Sequence, residues 1–282
     1  MSLDLERAGK LRILIPDGKH AGDKVAGLLS SVGVPIEWRT NGNLHIKFNG
    51  NEGDLSLTVV KNRAISPYIA EGRYPVAFTT SDRVLDYMAL ATMIDGNLPT
   101  DIIEVARFNE FNSRLRVSLL TRDNPEDDER YKTPQDLRGK RVLTSYMGLG
   151  TRFFRACFPD DSVIPVEFDG RIDGKEEGLV AEGDAEAAIV SVDTGSAMKT
   201  NSLRELAVVL PPGESQIVLI CNSIFYKDNK PLVDQFVLRL QENNKSNGVD
   251  KIIKEVAKET ATANRFNLSG KFGFVSQIIG GR

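Results

Sequence analysis

The stretch whose residue types and spacing promise chemistry is Ala187 to Asn201, AAIVSVDTGSAMKTN. An apolar run with the character of a buried strand stops at Asp193-Thr194-Gly195-Ser196 and turns straight into helix-compatible residues. A strand that ends this way presents backbone N–H groups and two hydroxyls at the positive end of a helix dipole, a combination that suits a phosphate. Gly195 permits close backbone approach, Thr194 and Ser196 donate hydroxyl bonds, and Asp193 accepts from ribose hydroxyls. The competing reading is a plain helix N-cap, which uses the same residue types.

Other reactive side chains are sparse. His20 and His45 are the only histidines; His20 follows the opening strand and its surface position at a helix start is the default reading. Glu176 and Glu177 are a candidate acid/base pair, against a dipole-stabilising pair at a helix start. Cys157 and Cys221 are far apart, with no CxxC spacing, so neither a disulfide framework nor a thiolate zinc site is suggested. Cys157 stands among Phe153, Phe154 and Phe158, as a core residue would. No metal-ligand cluster is visible, and the expected metal ligand set is none.

The elements that must position these residues alternate between strand and helix. Leu11–Ile15 reads as a strand, followed by the loop PDGKH and a helix over Ala21–Val32 with apolar spacing at Val25, Leu28 and Leu29. A run at Leu55–Val60 leads through Lys61, Asn62 and Arg63 to a short helix ending at Gly72, and a strand follows at Val76–Thr79. Arg114–Leu120 reads as a long strand running into Arg122–Arg130, whose Asn124, Pro125 and five acids predict a surface loop. A second series then opens: a turn at Thr133-Pro134, a strand at Arg141–Thr144, a helix through Phe153 and Cys157, a strand at Val163–Phe168, a helix, and the buried strand Ala185–Val192. Leu206–Leu210 and Gln216–Cys221 are strand candidates that return to the first domain. Helical periodicity resumes at Leu232–Leu240 and Val249–Val256. This pattern predicts α/β architecture in two lobes.

At 282 residues the chain is long enough for one large or two small domains. Its 36 Lys plus Arg against 39 Asp plus Glu give a net charge of −3, which argues against a nucleic-acid partner. The opening residues lack an apolar core, and no stretch approaches the roughly 20 apolar residues of a membrane span. A cytoplasmic protein with no membrane contact is expected. Residues 224–282 carry 10 basic and 6 acidic side chains, an excess that contrasts with the rest; Lys251, Lys254 and Lys258 alternate with Glu255 and Glu259 as on a solvated helix face.

Read together, the motifs resemble the ATP phosphoribosyltransferases of histidine biosynthesis over roughly residues 11–222. Pro16-Asp17-Gly18-Lys19 stands where the family has Pro-Lys-Gly-Arg. Thr144–Arg152 is similar to its Thr-x-Tyr-Pro-Asn-Leu-Thr-Arg with one residue inserted, and Asp173–Glu177 retains the Gly and final Glu of Ser-Gly-Ser-Val-Glu. Val190–Leu203 resembles the phosphoribosyl loop Asp-Leu-Val-Glu-Thr-Gly-x-Thr-Leu-x-x-Asn-Gly-Leu. Several positions depart: Asp17 replaces a Lys, Val190 an Asp and Ala197 a Thr. Lys61–Ser66 lacks the Asp of Arg-x-x-Asp-Ile-Pro, having Ala64 instead. Pro75, Ala77 and Thr80 replace an acid and two glycines in Asp-Leu-Gly-Ile-Thr-Gly-x-Asp. The added Cβ atoms imply a reshaped pocket in the first lobe.

The resemblance implies transfer of phosphoribose from phosphoribosyl pyrophosphate to N1 of ATP with release of pyrophosphate, the donor arriving with Mg2+. It implies a periplasmic-binding-protein-like architecture with the ligand in a cleft between the lobes. The expected lobes are 1–104 with 204–223, and 105–203, followed by a C-terminal helical extension over 224–282. On this reading Asp193, Thr194, Gly195, Ser196, Ala197 and Glu177 hold the phosphoribosyl group, and Lys19, Lys61, Arg63, Thr79, Thr80 and Tyr146 hold diphosphate or nucleotide; no catalytic residue is assigned. The partners are those small molecules and further copies of the chain. The substitutions leave two alternatives: a non-catalytic nucleotide- or phosphosugar-binding regulatory protein, or phosphoribosyl transfer to a different heterocycle.

Overall fold

A computed structural model describes residues 11–32, 34, 43–46, 55–96, 101–108, 114–170 and 174–244. In chain order the elements are β1 (Leu11–Pro16), α1 (Asp23–Ser31), β2 (Asn43–Ile46), β3 (Leu55–Val60), α2 (Asn62–Ala70), β4 (Val76–Thr80), α3 (Ser81–Asp95), β5 (Ile102–Phe108), β6 (Arg116–Arg122), α4 (Pro125–Arg130), β7 (Arg141–Thr144), α5 (Met147–Cys157), β8 (Glu167–Asp169), α6 (Glu176–Glu182), β9 (Ala187–Val192), α7 (Ser196–Thr200), β10 (Leu203–Leu210), β11 (Ile217–Asn222) and α8 (Ser223–Asn244).

The strands form two mixed sheets, and the chain divides into two compact units, each holding one sheet. The first sheet has the order β2-β3-β1-β4-β11-β5; β3, β1 and β4 are parallel, which brings Pro16, Val60 and Thr80 to the same edge. Its core packs Ile13, Ile15, Val25, Leu28, Leu29 and Phe78 with Phe225, Val233 and Phe236 of α8. The region from 224 to 244 is therefore part of this core, not an appended extension, because the apolar face of α8 has a sheet to bury against. The Val249–Val256 expectation falls outside the described residues.

The second sheet has the order β10-β6-β9-β7-β8, with β7, β8 and β9 parallel. To reach β10 from β9 the chain must pass over β6, and Met198 of α7 packs with Val190, Val192, Leu203 and Leu120 on the face it crosses. The unit boundaries fall between Thr80 and Ser81 and between Gln216 and Ile217. Thus α3, expected in the first lobe, belongs to the second unit, where it packs against α5; β5 lies in the first sheet and β10 in the second. Of the two strands expected to return, only β11 does so.

Several local expectations are corrected. The short helix expected after Lys61, Asn62 and Arg63 begins earlier, at Asn62, and carries Pro67 inside it. Arg122–Arg130 is not an exposed loop throughout, because Asn124 caps α4 by accepting from the Asp127 amide at 2.8 Å and Asp127 is buried against Arg122. The strand expected over Val163–Phe168 is only the three residues of β8. Gly18–Gly22 forms a π-turn ahead of α1, so the PDGKH loop is partly helical.

Candidate functional site

In the second unit β9 carries the 187–192 run to the edge of the sheet, and the chain bends through Asp193, Thr194 and Gly195 into α7. Gly195 sits at φ 74°, ψ 12°, in the left-handed region where a side chain is disfavoured. A Cβ there would meet nothing closer than Met198 Cε at 3.5 Å, so the glycine is required by conformation and not by space. Thr194 Oγ1 donates to Ser196 Oγ at 3.1 Å, and the Lys199 amide closes the turn onto the Gly195 carbonyl at 3.0 Å. Thr194, Ser196 and Ala197 are exposed and Asp193 is half-buried. At five residues α7 is too short for a sizeable dipole, so what the bend could offer an anion is chiefly its first-turn amides, which have no intrahelical acceptor.

Val190, where the family has Asp, is not in the bend at all: it lies within β9 opposite Ser118 and is 5% exposed. Glu177 is in the first turn of α6, partly exposed beside the buried Glu176. Val180 of α6 and Met198 of α7 pack on the same core, so both helices cover one face of the second sheet.

Tyr146 is placed elsewhere. It is 2% exposed, its hydroxyl donates to Asp82 Oδ2 at 2.7 Å, and Asp82 Oδ1 accepts from Ser215 Oγ at 2.6 Å. The Arg83 guanidinium lies 3.6 Å from the Tyr146 ring centroid and donates to the Ser145 carbonyl at 2.7 Å. Burial raises the Tyr146 hydroxyl well above the ordinary phenol range, against the pull of Arg83 and with the help of Asp82. This side chain joins α3 to α5 and has no hydroxyl to offer a diphosphate. Asp86 completes the join: its Oδ1 accepts from the Leu149 amide at 2.8 Å, and burial pushes its carboxyl up to about 6 despite that bond. Asp82, Arg83 and Asp86 went unmarked by spacing or composition, because a polar residue that bonds across helices leaves no periodic trace.

In the first unit the carboxyl ends of the parallel strands gather Asp17, Lys61, Asn62, Thr79 and Thr80. Lys61 Nζ is 2.9 Å from Asp17 Oδ2, and the Asp17 amide donates to Val60 O at 2.8 Å. Thr79 Oγ1 donates to Asn62 Oδ1 at 2.7 Å while Asn62 Nδ2 donates to Thr80 Oγ1 at 3.0 Å. Both threonines are buried, with hydroxyls committed to Asn62, the half-buried member of the group, which its charged neighbours overshadow in the sequence. Ala77, in place of a family glycine, is buried in the sheet. Arg63 is exposed at the start of α2. Lys19 and His20 lie in the π-turn after β1, and their side chains fall outside the described residues, as does that of His45 in β2. Burial pushes the Cys157 thiol up to about 11 and Cys221 up to about 12, which removes both as nucleophiles near neutrality. No described helix is long and apolar enough to cross a membrane.

Comparison with known proteins bears on these arrangements. The chain is similar to an ATP phosphoribosyltransferase of Nitratidesulfovibrio vulgaris (strain DP4), 28% identical over 195 residues, which covers 68% of this chain and 59% of that protein. The chain thus spans about three-fifths of that relative's length. Among solved structures, the ATP phosphoribosyl transferase (HisG:HisZ) complex from Thermotoga maritima matches with a TM-score of 0.62 at 18% identity, covering 84% of this chain and 100% of that one. The alkanesulfonate-binding protein SsuA from Xanthomonas axonopodis pv. citri, bound to MOPS, matches at a TM-score of 0.51 and 13% identity, covering 96% and 80%. These likenesses show the fold: two α/β units of the periplasmic-binding-protein-like kind. The family model HisG, ATP phosphoribosyltransferase, matches residues 61–242, more than half of the sequence and inclusive of both the Lys61–Asn62 strand end and the Gly195 bend. The chain belongs to the ATP phosphoribosyltransferase family.

Proposed function

We propose that the chain transfers phosphoribose from phosphoribosyl pyrophosphate to N1 of ATP and releases pyrophosphate. The observation that carries the reading is the Asp193–Ala197 bend, held open by a left-handed Gly195 at the carboxyl end of β9 in a chain of this family. In this reading the bend's amides and the Thr194 and Ser196 hydroxyls anchor the 5′-phosphate, and Asp193 and Glu177 accept from the ribose hydroxyls. Anchoring both ends of the sugar holds the anomeric carbon where positive charge develops as pyrophosphate departs. Magnesium travels with the donor's diphosphate, and Lys61, Arg63 and Lys19 supply the countercharge on the chain itself. The work is cytoplasmic, and the functional form is an assembly of several chains.

Formation of phosphoribosyl-ATP, followed by ultraviolet absorbance, tests the transfer; calorimetry with Mg2+ and phosphoribosyl pyrophosphate tests the donor site. Binding that Gly195→Val abolishes is the expected result. An absence of donor binding by the unaltered protein overturns the reading.

A second reading is favoured by one feature, the Asn62–Thr80 pair at a position where the family has glycine. The added side chains fill space beside the strand ends, and an acceptor smaller than ATP, such as a free nucleobase, then takes the phosphoribose. Product analysis with a panel of heterocycles separates the two.

A further inference from the structure

From Asp193 to Met198 the bend reads DTGSAM and contains no cation, although a sugar 5′-phosphate carries nearly two negative charges at neutral pH. The geometry points to Arg116 as the guanidinium that meets that phosphate, an inference that rests on the phosphate reading of the bend. Arg116 opens β6 and stands directly opposite Val192, the last residue before the bend. Opposed residues of an antiparallel pair share a face. That face is the one carrying Val190, Val192 and Leu120, over which the chain crosses from β9 through α7 to β10. Arg116 therefore starts beneath the crossover, on the bend's side of the sheet.

Its orientation is fixed by one carboxylate acceptor. Arg116 Nε donates to Glu205 Oε2 at 2.6 Å, and the same oxygen accepts from Ser118 Oγ at 2.7 Å. Ser118 is fully buried, whereas the Arg116 side chain keeps 21% exposure. The Nε edge is thus used by protein, and the two Nη groups, whose planar fork matches phosphate oxygens, have no protein acceptor among the described residues. Lys199, the other cation nearby in sequence, is exposed in the last turn of α7, away from the first-turn amides.

Calorimetry of the full chain with ribose 5-phosphate tests the assignment, run on the unaltered protein, Gly195→Val, Arg116→Gln and Arg116→Lys, with ligand-free melting temperatures recorded for each. Arg116→Gln is expected to weaken ribose 5-phosphate on the order of 10- to 100-fold, the loss of a charge-assisted pair. Arg116→Lys keeps a cation without the fork and should weaken it about fivefold. The unaltered protein should also lose affinity more steeply with added salt than Arg116→Gln does, a difference that a merely structural arginine would not produce. If Gly195→Val loses the ligand while both Arg116 variants bind as the unaltered protein does, Arg116 is excluded and the bend stands. If the unaltered protein fails to bind ribose 5-phosphate, or Gly195→Val binds it equally well, the phosphate reading of the bend falls and Arg116 with it. Should Arg116→Gln not fold, unchanged affinity in Arg116→Lys by itself overturns the assignment.

Discussion

Replacing Gly148 with alanine sets two physical effects against each other. Within a helix the exchange should stabilise by up to about 1 kcal/mol, since glycine has more backbone freedom to lose. But α5 lies so close on α3 that a Cβ at position 148 would stand 2.0 Å from the Asp86 carbonyl oxygen and 2.7 Å from the Leu90 nitrogen. Both are backbone atoms and cannot swing aside, so α5 must retreat by more than about 1 Å, an overpacking that costs roughly 1–3 kcal/mol. The same retreat stretches the 2.8 Å bond from the Leu149 amide to Asp86, and losing a bond to a carboxylate adds about 1.5–3 kcal/mol. The net expectation is a destabilisation of about 1.5–6 kcal/mol, or roughly 3–25 °C in melting temperature for a chain of this size. Urea unfolding followed by circular dichroism measures it. Gly150→Ala, whose Cβ would meet only the side-chain atoms Ile189 Cδ1 at 3.1 Å and Phe168 Cε1 at 3.2 Å, is the control and should cost clearly less. A Gly148→Ala protein as stable as the parent would show that the α3–α5 contact has been misjudged.

Tyr146→Phe removes a hydrogen bond to the buried Asp82 carboxylate and should cost about 1.5–3 kcal/mol in urea unfolding, while a loss below about 0.5 kcal/mol would mean that Asp82 finds another donor. Asp86, raised from 3.8 to about 6, binds its proton more tightly in the folded state, so its contribution to stability is full below about pH 4 and is lost as pH rises through 6, by about 3 kcal/mol in all. Asp86→Asn should therefore gain on the parent between pH 4 and pH 7, and a constant gap in unfolding free energy across that range would contradict the shift. Asp17→Asn removes the Asp17–Lys61 ion pair and one negative charge beside the proposed diphosphate contacts; because that pair is exposed, stability should change by less than about 1 kcal/mol while calorimetric binding of phosphoribosyl pyrophosphate with Mg2+ tightens several-fold, and unchanged affinity would remove Lys61 from that site.

The alternation of strands and helices, the buried 187–192 strand and the bend after it were all legible in the sequence. Each is a local matter: apolar period sets the element, and a positive φ asks for glycine at one position. The order of small motifs likewise pointed to the family, since a motif is a short-range pattern. What covers each face is not local. That α3 belongs with the second sheet, that Asp127 is buried although it sits in a run of acids, and that α8 completes the first core depended on surfaces brought together from distant parts of the chain.

The same division runs through the candidate site. The strand-to-helix bend of Thr194, Gly195 and Ser196 was visible because it follows from local residue types and the backbone they favour. Tyr146, Thr79 and Thr80 carry the family's residue types or lie in its motifs, yet Asp82 and Asn62 satisfy their hydroxyls within the protein. Arg116 and Glu205, 89 residues apart, meet only because β6 lies between β9 and β10. Sequence alone determined the chemistry on offer at each position, because residue type and neighbouring backbone suffice for that. Tertiary structure alone decided which of those groups are already paired within the protein, because a hydrogen-bonding group is used up by whichever partner the fold places within about 3 Å of it.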